Sequence, residues 1–258
     1  MLSPEIFKAV FPLDYQMRFI NQDRVSKQIS LARNVIGTSL GSSTCKIGNT
    51  VVIVAVTAGI FVSPIEQETL GKLNVVCDYS LCLPKERRAA QSIASGVSDK
   101  IWKILDNFAI FDRAQLNESE GKVWDVTLNI LVVRDDGALI DCALMAAVAA
   151  IQSTRLPSVE PRSLSLKALP VSFTFCLASE GKWLPDPSSD EESVFPRLTI
   201  CVDDQDNICG MFGLEGPPSV SAFSMSDVVG GPVISEFIAN KIVSRRQHLI
   251  VDTQTEFI

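Results

Sequence analysis

Two hydrophobic periods divide this chain. Apolar residues at every second position predict strands with one buried face, whereas continuous or three-to-four spacing predicts helices. In KVWDVTLNILVV, Trp124, Val126, Leu128, Ile130 and Val132 alternate with Asp125, Thr127 and Asn129, so this stretch reads as a strand. Asp135, Asp136 and Gly137 follow as turn formers, because short acids bond nearby backbone N–H groups and glycine accepts positive φ. The run from Ala143 to Ile151 is small and unbrokenly apolar, which suits a helix buried on most sides. The same reading places strands near 28–36 and 42–47, a strongly apolar one in TVVIVAVTAGI (50–60), another near 73–81, and a helix over about 86–106. Further strands fall at VSFTFCLA (171–178), RLTICV (197–202) and ICGMF (208–212). Turns fall at 179–182 and at DDQDN, and a last helix runs from about Ser224 to Gln247.

The order is doubled: strands first and a helix to close, twice. PSVEPRSLSLKALP (157–170) reads as a connector and WLPDPSSDEESVFP (183–196) as an acidic loop. The pattern therefore predicts an α+β fold in which two βα halves, about 1–156 and 171–258, pack as one body spanning 1–258.

The corner at RDDGALIDC is the first place to look for chemistry. A helix start offers unpaired N–H groups and the positive end of its dipole, so such corners hold anions. Yet Ala138, Leu139 and Ile140 supply no side-chain donor, and Asp136 and Asp141 would repel an anion. The residues read as a structural strand-to-helix corner.

Composition adds bounds. The 258 residues are 47% hydrophobic and 21% charged, enough for a substantial core in one large domain or two halves. No window approaches a membrane span, and Glu5, Lys8, Asp14 and Arg18 interrupt the apolar positions of the N-terminus, so neither a membrane partner nor a signal peptide is expected. Seven cysteines form no C-x-x-C pair and several lie in apolar runs, which points to buried thiols rather than a disulfide framework or a metal site. A net charge of −7 argues against a broad nucleic-acid grip. Two local basic clusters stand out. Lys85, Arg87 and Arg88 at a helix start are either a solvated face or a phosphate contact, and Arg245 with Arg246 reads as a solvated helix face. His248 has no serine or cysteine motif near it, and Ser42 and Ser43 lack a nucleophile-elbow pattern.

Taken in order, TVVIVAVTAGI after KIGN, the run KVWDVTLNILVVRDDGALIDCALMAAVAAIQSTRLP, and DPSSDEESVFPRLTICVDDQDNICGM resemble the ribonuclease PH family over nearly the whole chain. The resemblance is greater still to the RNase PH-like ring subunits of the eukaryotic RNA exosome, and among these to the non-catalytic type whose lead reads PL-x-Y-x-x-RF, here PLDYQMRF. The resemblance implies an RNase PH-like fold and six such chains in a ring. Active members carry Gly-Thr-Arg or Gly-Ser-Arg to hold the attacking phosphate, and here Gly137, Ala138 and Leu139 stand at the aligned positions, without the arginine. An acidic pair serves metal-assisted phosphorolysis in active members; Asp186 with Glu191 or Glu192 occupies that region, although an Asp186-Pro187 start resembles inactive ring members. The usual Arg-Pro-Asp-Gly-Arg is degraded to Asn21-Gln22-Asp23-Arg24, and the turn near Leu40-Gly41-Ser42 is shortened. The resemblance thus implies a non-catalytic subunit without catalytic residues, cofactor or metal. Its partners would be the other ring subunits, the cap subunits and RNA threaded through the ring, in nucleus, nucleolus and cytoplasm. It also places Lys85, Arg87 and Arg88 where related subunits line a channel with arginines. The alternative is an active phosphate-dependent 3′-to-5′ exoribonuclease.

Overall fold

The computed structural model describes residues 3–19, 27–62, 70–83, 86–107, 109–119, 122–158, 161–178, 182–215 and 232–250. Two helices lead the chain, α1 (Pro4–Val10), capped by the Ser3 hydroxyl, and α2 (Pro12–Phe19). The first sheet is built from β1 (Ile29–Arg33), β2 (Gly41–Ile47), β3 (Thr50–Val62), β4 (Lys72–Asp78), β5 (Asn117–Ser119) and β6 (Lys122–Arg134). Its order is β1-β2-β3-β6-β4, with β5 pairing β6. Every pairing is antiparallel except β4 with β6, which are parallel and need the crossover through α3 (Arg87–Asn107). β6 then turns into α4 (Leu139–Ser153).

A short hairpin of β7 (Arg155–Leu156) and β8 (Arg162–Ser163) leads to the second sheet. That sheet comprises β9 (Val171–Leu177), β10 (Trp183–Pro185), β11 (Arg197–Val202) and β12 (Ile208–Glu215) in the antiparallel order β10-β9-β11-β12. A one-turn helix, α5 (Ser189–Glu192), interrupts β10 and β11, and α6 (Pro232–Ile250) follows.

The position of α4 explains its composition. It touches β2 and β3 of one sheet and β9 of the other, so no side of it faces water. Leu144, Met145, Val148 and Ile151 are fully buried, each stabilising the fold by roughly 1.5–3 kcal/mol before chain entropy is counted. α3 bridges β4 and β12 alongside it, and one apolar cluster runs without a break from Leu31 through both helices to Phe173, Leu198 and Leu249.

Most elements expected from the pattern are found, strand for strand. Three differences have physical causes. The stretch 183–196, read as a loop, contains β10 and α5, because Ser188 and Glu191 form a reciprocal capping box and Phe195 anchors the segment in a small apolar cluster with Cys176, Ala178 and Leu184. The connector 157–170 carries β8 and a bridge between Phe111 and Leu166, since Leu164 is buried and brings its backbone along. The last helix is described from Pro232; the expected start at Ser224, most of the 179–182 turn and the degraded Asn21–Arg24 motif lie outside the described residues. Among the described residues no helix is long and apolar enough to cross a membrane.

The turn expected at Leu40-Gly41-Ser42 is in fact the start of β2, since Gly41 and Ser42 pair with Val56 and Ala55, and Gly41 lies against the end of α4. A Cβ on Gly41 would lie 2.3 Å from the Thr154 hydroxyl and 2.7 Å from the Ala150 carbonyl oxygen. Gly41→Ala should therefore lower unfolding free energy by roughly 1–3 kcal/mol. Gly96, inside α3 with nothing within 4 Å of its would-be Cβ, should respond oppositely to Gly96→Ala, gaining up to about 1 kcal/mol. Urea denaturation of the two variants checks the sign of each.

Candidate functional site

The corner between β6 and α4 is a closed network. Asp135 accepts the Tyr79 hydroxyl (2.7 Å) with one oxygen and the Gly137 N–H (3.0 Å) with the other. Burial, and then that bond to Asp135, raise the Tyr79 pKa far above the ordinary phenol value, so the hydroxyl stays a donor. The Asp136 N–H donates to the Thr50 hydroxyl (2.9 Å), which itself donates to the Gly137 carbonyl (2.7 Å). Lys27 donates to the carbonyls of Asp136 (2.9 Å) and Pro187 (2.7 Å), pinning the corner to the start of α5. Gly137 (φ 81°) must be glycine, because a Cβ there would meet the Pro187 carbonyl oxygen at 2.3 Å. Ala138 follows in the left-handed region (φ 53°) as the residue before α4, with no side-chain cap.

The N–H of Ala138, at the positive end of α4, is not vacant. It donates to Glu192 Oε1 at 2.6 Å, and Glu192 Oε2 accepts from Arg197 Nη1 at 3.0 Å. The Glu192 side chain is only 10% exposed, and burial raises its pKa against the opposing pull of the Ala138 N–H and Arg197. This carboxylate closes one end of a cavity of about 290 Å³, lined by Ser92, Gly96 and Lys100 of α3, Leu139 and Ile140 of α4, and Thr174, Arg197 and Thr199 of the second sheet, with Asp135 at its edge. Ala138, Leu139 and Ile140, the residues that open α4, carry no cation, but the fold brings Lys100 and Arg197 to the cavity from α3 and β11.

Behind the corner, Asp141 is completely buried in the first turn of α4. Its oxygens accept from the hydroxyls of Ser172 (2.9 Å) and Thr174 (2.9 Å), the Thr174 N–H (3.0 Å) and Arg245 Nη1 (3.0 Å). Arg245 is 3% exposed, donates also to the Ser172 carbonyl and to Asp186 Oδ1 (2.7 Å), and lies 4.3 Å from the Phe173 ring centre. Asp186 has φ 48°, and burial raises its pKa despite the attraction of Arg245. This corrects two expectations. Arg245 is not a solvated face residue, and Asp141 does not confront the anion position, because it points into a guanidinium. Arg246, its side chain 14% exposed, is engaged by the Asp203 carbonyl and by Asp206 (3.0 Å). Sequence reasoning missed this network, although an aspartate inside an otherwise apolar helix demands a buried counter-charge.

Of the basic cluster, Arg87 and Arg88 are the exposed first residues of α3; Lys85 lies outside the described residues. The exposed Glu86, whose carbonyl accepts from the Ala90 N–H at the start of α3, lowers the positive charge that these two cations add to that helix end. Arg88 shares a helix face with Ser92, Gly96 and Lys100, which line the cavity. Among the described residues no group of His, Cys, Asp or Glu is arranged to hold a metal ion. The site therefore presents a helix-end N–H already taken by a carboxylate, with carboxylates behind it bound to a buried arginine.

Comparison with known proteins matches residues 26–157 to the family model described as the 3′ exoribonuclease family, domain 1 (RNase PH). The chain is similar to the exosome complex component Rrp42 of Archaeoglobus fulgidus, 31% identical over 202 residues that cover 72% of this chain and 74% of that protein. It is similar also to the exosome complex component rrp43 of Schizosaccharomyces pombe, 26% identical over 243 residues, 83% of this chain and 88% of that protein. A chain of the Archaeoglobus fulgidus exosome with RNA bound to the active site superposes with a TM-score of 0.76 at 25% identity, covering 95% of this chain and 96% of that one. Rice Rrp46 shares the fold, with a TM-score of 0.64 at 17% identity over 89% of this chain and 98% of that one.

Two measurements test the network. Arg245→Met leaves Asp141 charged and unpaired in the core, so it should cost roughly 3–5 kcal/mol in chemical denaturation, and Arg245→Lys, which cannot bridge both carboxylates, should recover only part. Glu192 carries a pKa raised in the folded state above its ordinary 4.5, so its contribution is fully present below 4.5 and is lost as pH rises through the folded value. Glu192→Gln removes that loss. The stability of the variant relative to the parent should therefore climb as pH rises through this window, and a pH-independent difference would count against the assignment.

Proposed function

Because the chain belongs to the RNase PH family, we propose that it is a non-catalytic RNase PH-like subunit of the exosome core ring, of the type designated component 8 in animals. It supports ring assembly and RNA channelling for 3′-to-5′ RNA processing and degradation carried out by other chains. Its partners are the other RNase PH-like ring subunits, the cap subunits, and RNA through the assembled ring. Residues 1–258 act as one RNase PH-like body that needs no cofactor, in nucleus, nucleolus and cytoplasm.

The observation that carries this reading is the Glu192 carboxylate on the Ala138 N–H. An attacking phosphate at this helix end would have to displace a buried, doubly bonded carboxylate. It would compete with that carboxylate for Arg197, and Leu139, at the position of the family's phosphate-binding arginine, offers no charge to hold it for attack. Asp186, the other acid of the region, is bound to Arg245 at 2.7 Å and is not free to organise a metal or a water. The degenerate positions Gly137, Ala138 and Leu139 thus build a corner and not a phosphate clamp. The exposed Arg87 and Arg88, with Lys85 beside them in sequence, supply the contact to RNA phosphates at the channel.

Purified chain with magnesium, phosphate and a short RNA should release no nucleoside diphosphate. Turnover by protein free of other nucleases would support the active phosphate-dependent exoribonuclease instead. In the reconstituted ring, joint replacement of Lys85, Arg87 and Arg88 by alanine should leave assembly intact. It should weaken RNA retention and flatten the salt dependence of binding by up to roughly 0.7 per lost contact to single-stranded RNA. An unchanged slope in a correctly assembled ring would return the three cations to the solvent-exposed surface.

A further inference from the structure

Cys201 on β11 and Cys209 on β12 are both buried free thiols, and their sulfurs lie 3.1 Å apart. That is about 1 Å more than the bond length of a disulfide. The closeness has a local cause. Cys201 pairs with Gly210 and Val202 with Ile208, so Cys209 is the extra residue of a bulge, and the bulge turns its side chain toward Cys201. Gly210 stands opposite Cys201, where a Cβ would make only an ordinary contact of 3.4 Å with the Cys201 Cβ. Cys142, also buried, differs in that its thiol donates to the carbonyls of Cys45 (3.2 Å) and Thr50 (3.7 Å).

We propose that Cys201 and Cys209 form a dithiol modification site that a hydroperoxide converts to a cross-strand disulfide. Cys209 is 4% exposed and Cys201 is fully buried, and β12 is the outer strand of the described sheet, so Cys209 meets the oxidant first. Its thiolate attacks one peroxide oxygen, the O–O bond breaks, and a sulfenic acid forms with release of the alcohol, or of water from hydrogen peroxide. The Cys201 sulfur then attacks the Cys209 sulfur; the S–S bond forms, the S–O bond breaks, and water leaves with the remaining thiol proton. Two electrons pass from the thiols to the peroxide, and a reducing thiol reverses the change. Burial, and then the neighbouring Cys209, hold the Cys201 pKa well above the usual thiol value, so the second step quickens as pH rises.

The full chain is treated with hydrogen peroxide, blocked with N-ethylmaleimide and mapped by mass spectrometry. The expected product is a peptide carrying both residues, two hydrogens lighter, unblocked at either cysteine and restored to two blocked thiols by dithiothreitol. Cys209→Ser and Cys201→Ser should each abolish it. Two results on the unmodified chain, which need no folded variant, would overturn the proposal. One is a pair that stays fully blockable at peroxide levels that oxidise the half-buried Cys77 and Cys82; the other is Cys209 sulfinic acid beside a blockable Cys201.

Discussion

Arg245 joins two carboxylates that stand 104 and 59 positions away in the chain, and so ties both helices to the second sheet within their shared apolar core. Its guanidinium enters from α6, meets Asp141 at the start of α4, Asp186 after β10 and the Ser172 carbonyl on β9, and lies over Phe173. Desolvating such a group costs several kcal/mol, which only well-placed hydrogen bonds and an opposite charge offset. The geometry supplies both, so the cluster tolerates only one arrangement of α4, α6 and the second sheet. A purely apolar contact among these elements would stabilise the fold without fixing their register as tightly.

That constraint sets the chemistry of the neighbouring corner. With Asp141 and Asp186 held by Arg245, the start of α4 is met by two other carboxylates, Asp135 on the Gly137 N–H and Glu192 on the Ala138 N–H. The helix end is thereby neutralised from within. Lys27 and Thr50 fasten the backbone of the same turn, and Tyr79 fastens Asp135. A site of this kind is rigid, charge-balanced and occupied. Its character follows from partners supplied by α5, α6 and β11, all of them far along the chain from the corner itself.

The exposed rim obeys different physics. Arg87 and Arg88 lie at the positive end of α3, where a cation costs about 0.3–1 kcal/mol, and Glu86 just before them offsets part of that cost. Both cations stand exposed on a chain whose overall charge is −7, so local charge and net charge differ in sign here.

Much of the fold was legible in the chain because period is a local property: β6 shows its alternation in twelve consecutive letters, and the small apolar run of α4 announces burial on every side. The turn at Asp135, Asp136 and Gly137 was legible too, since short acids followed by a glycine are adjacent residues. Nothing local distinguishes Arg245, which is buried, from Arg246, which keeps a partly exposed edge; they are neighbours in sequence and differ only in which side of α6 meets β9. Nor does the acidic stretch 183–196 disclose that Glu192 reaches back 54 positions to a helix start, or that Lys100 and Arg197 share its cavity. Sequence alone determined the main strands and helices and their doubled order, because those depend on spacing along the chain. Tertiary structure alone decided which charges are paired and which face water, because a charge takes its state from the dielectric and the partners around it, and those are assembled from segments the chain keeps far apart.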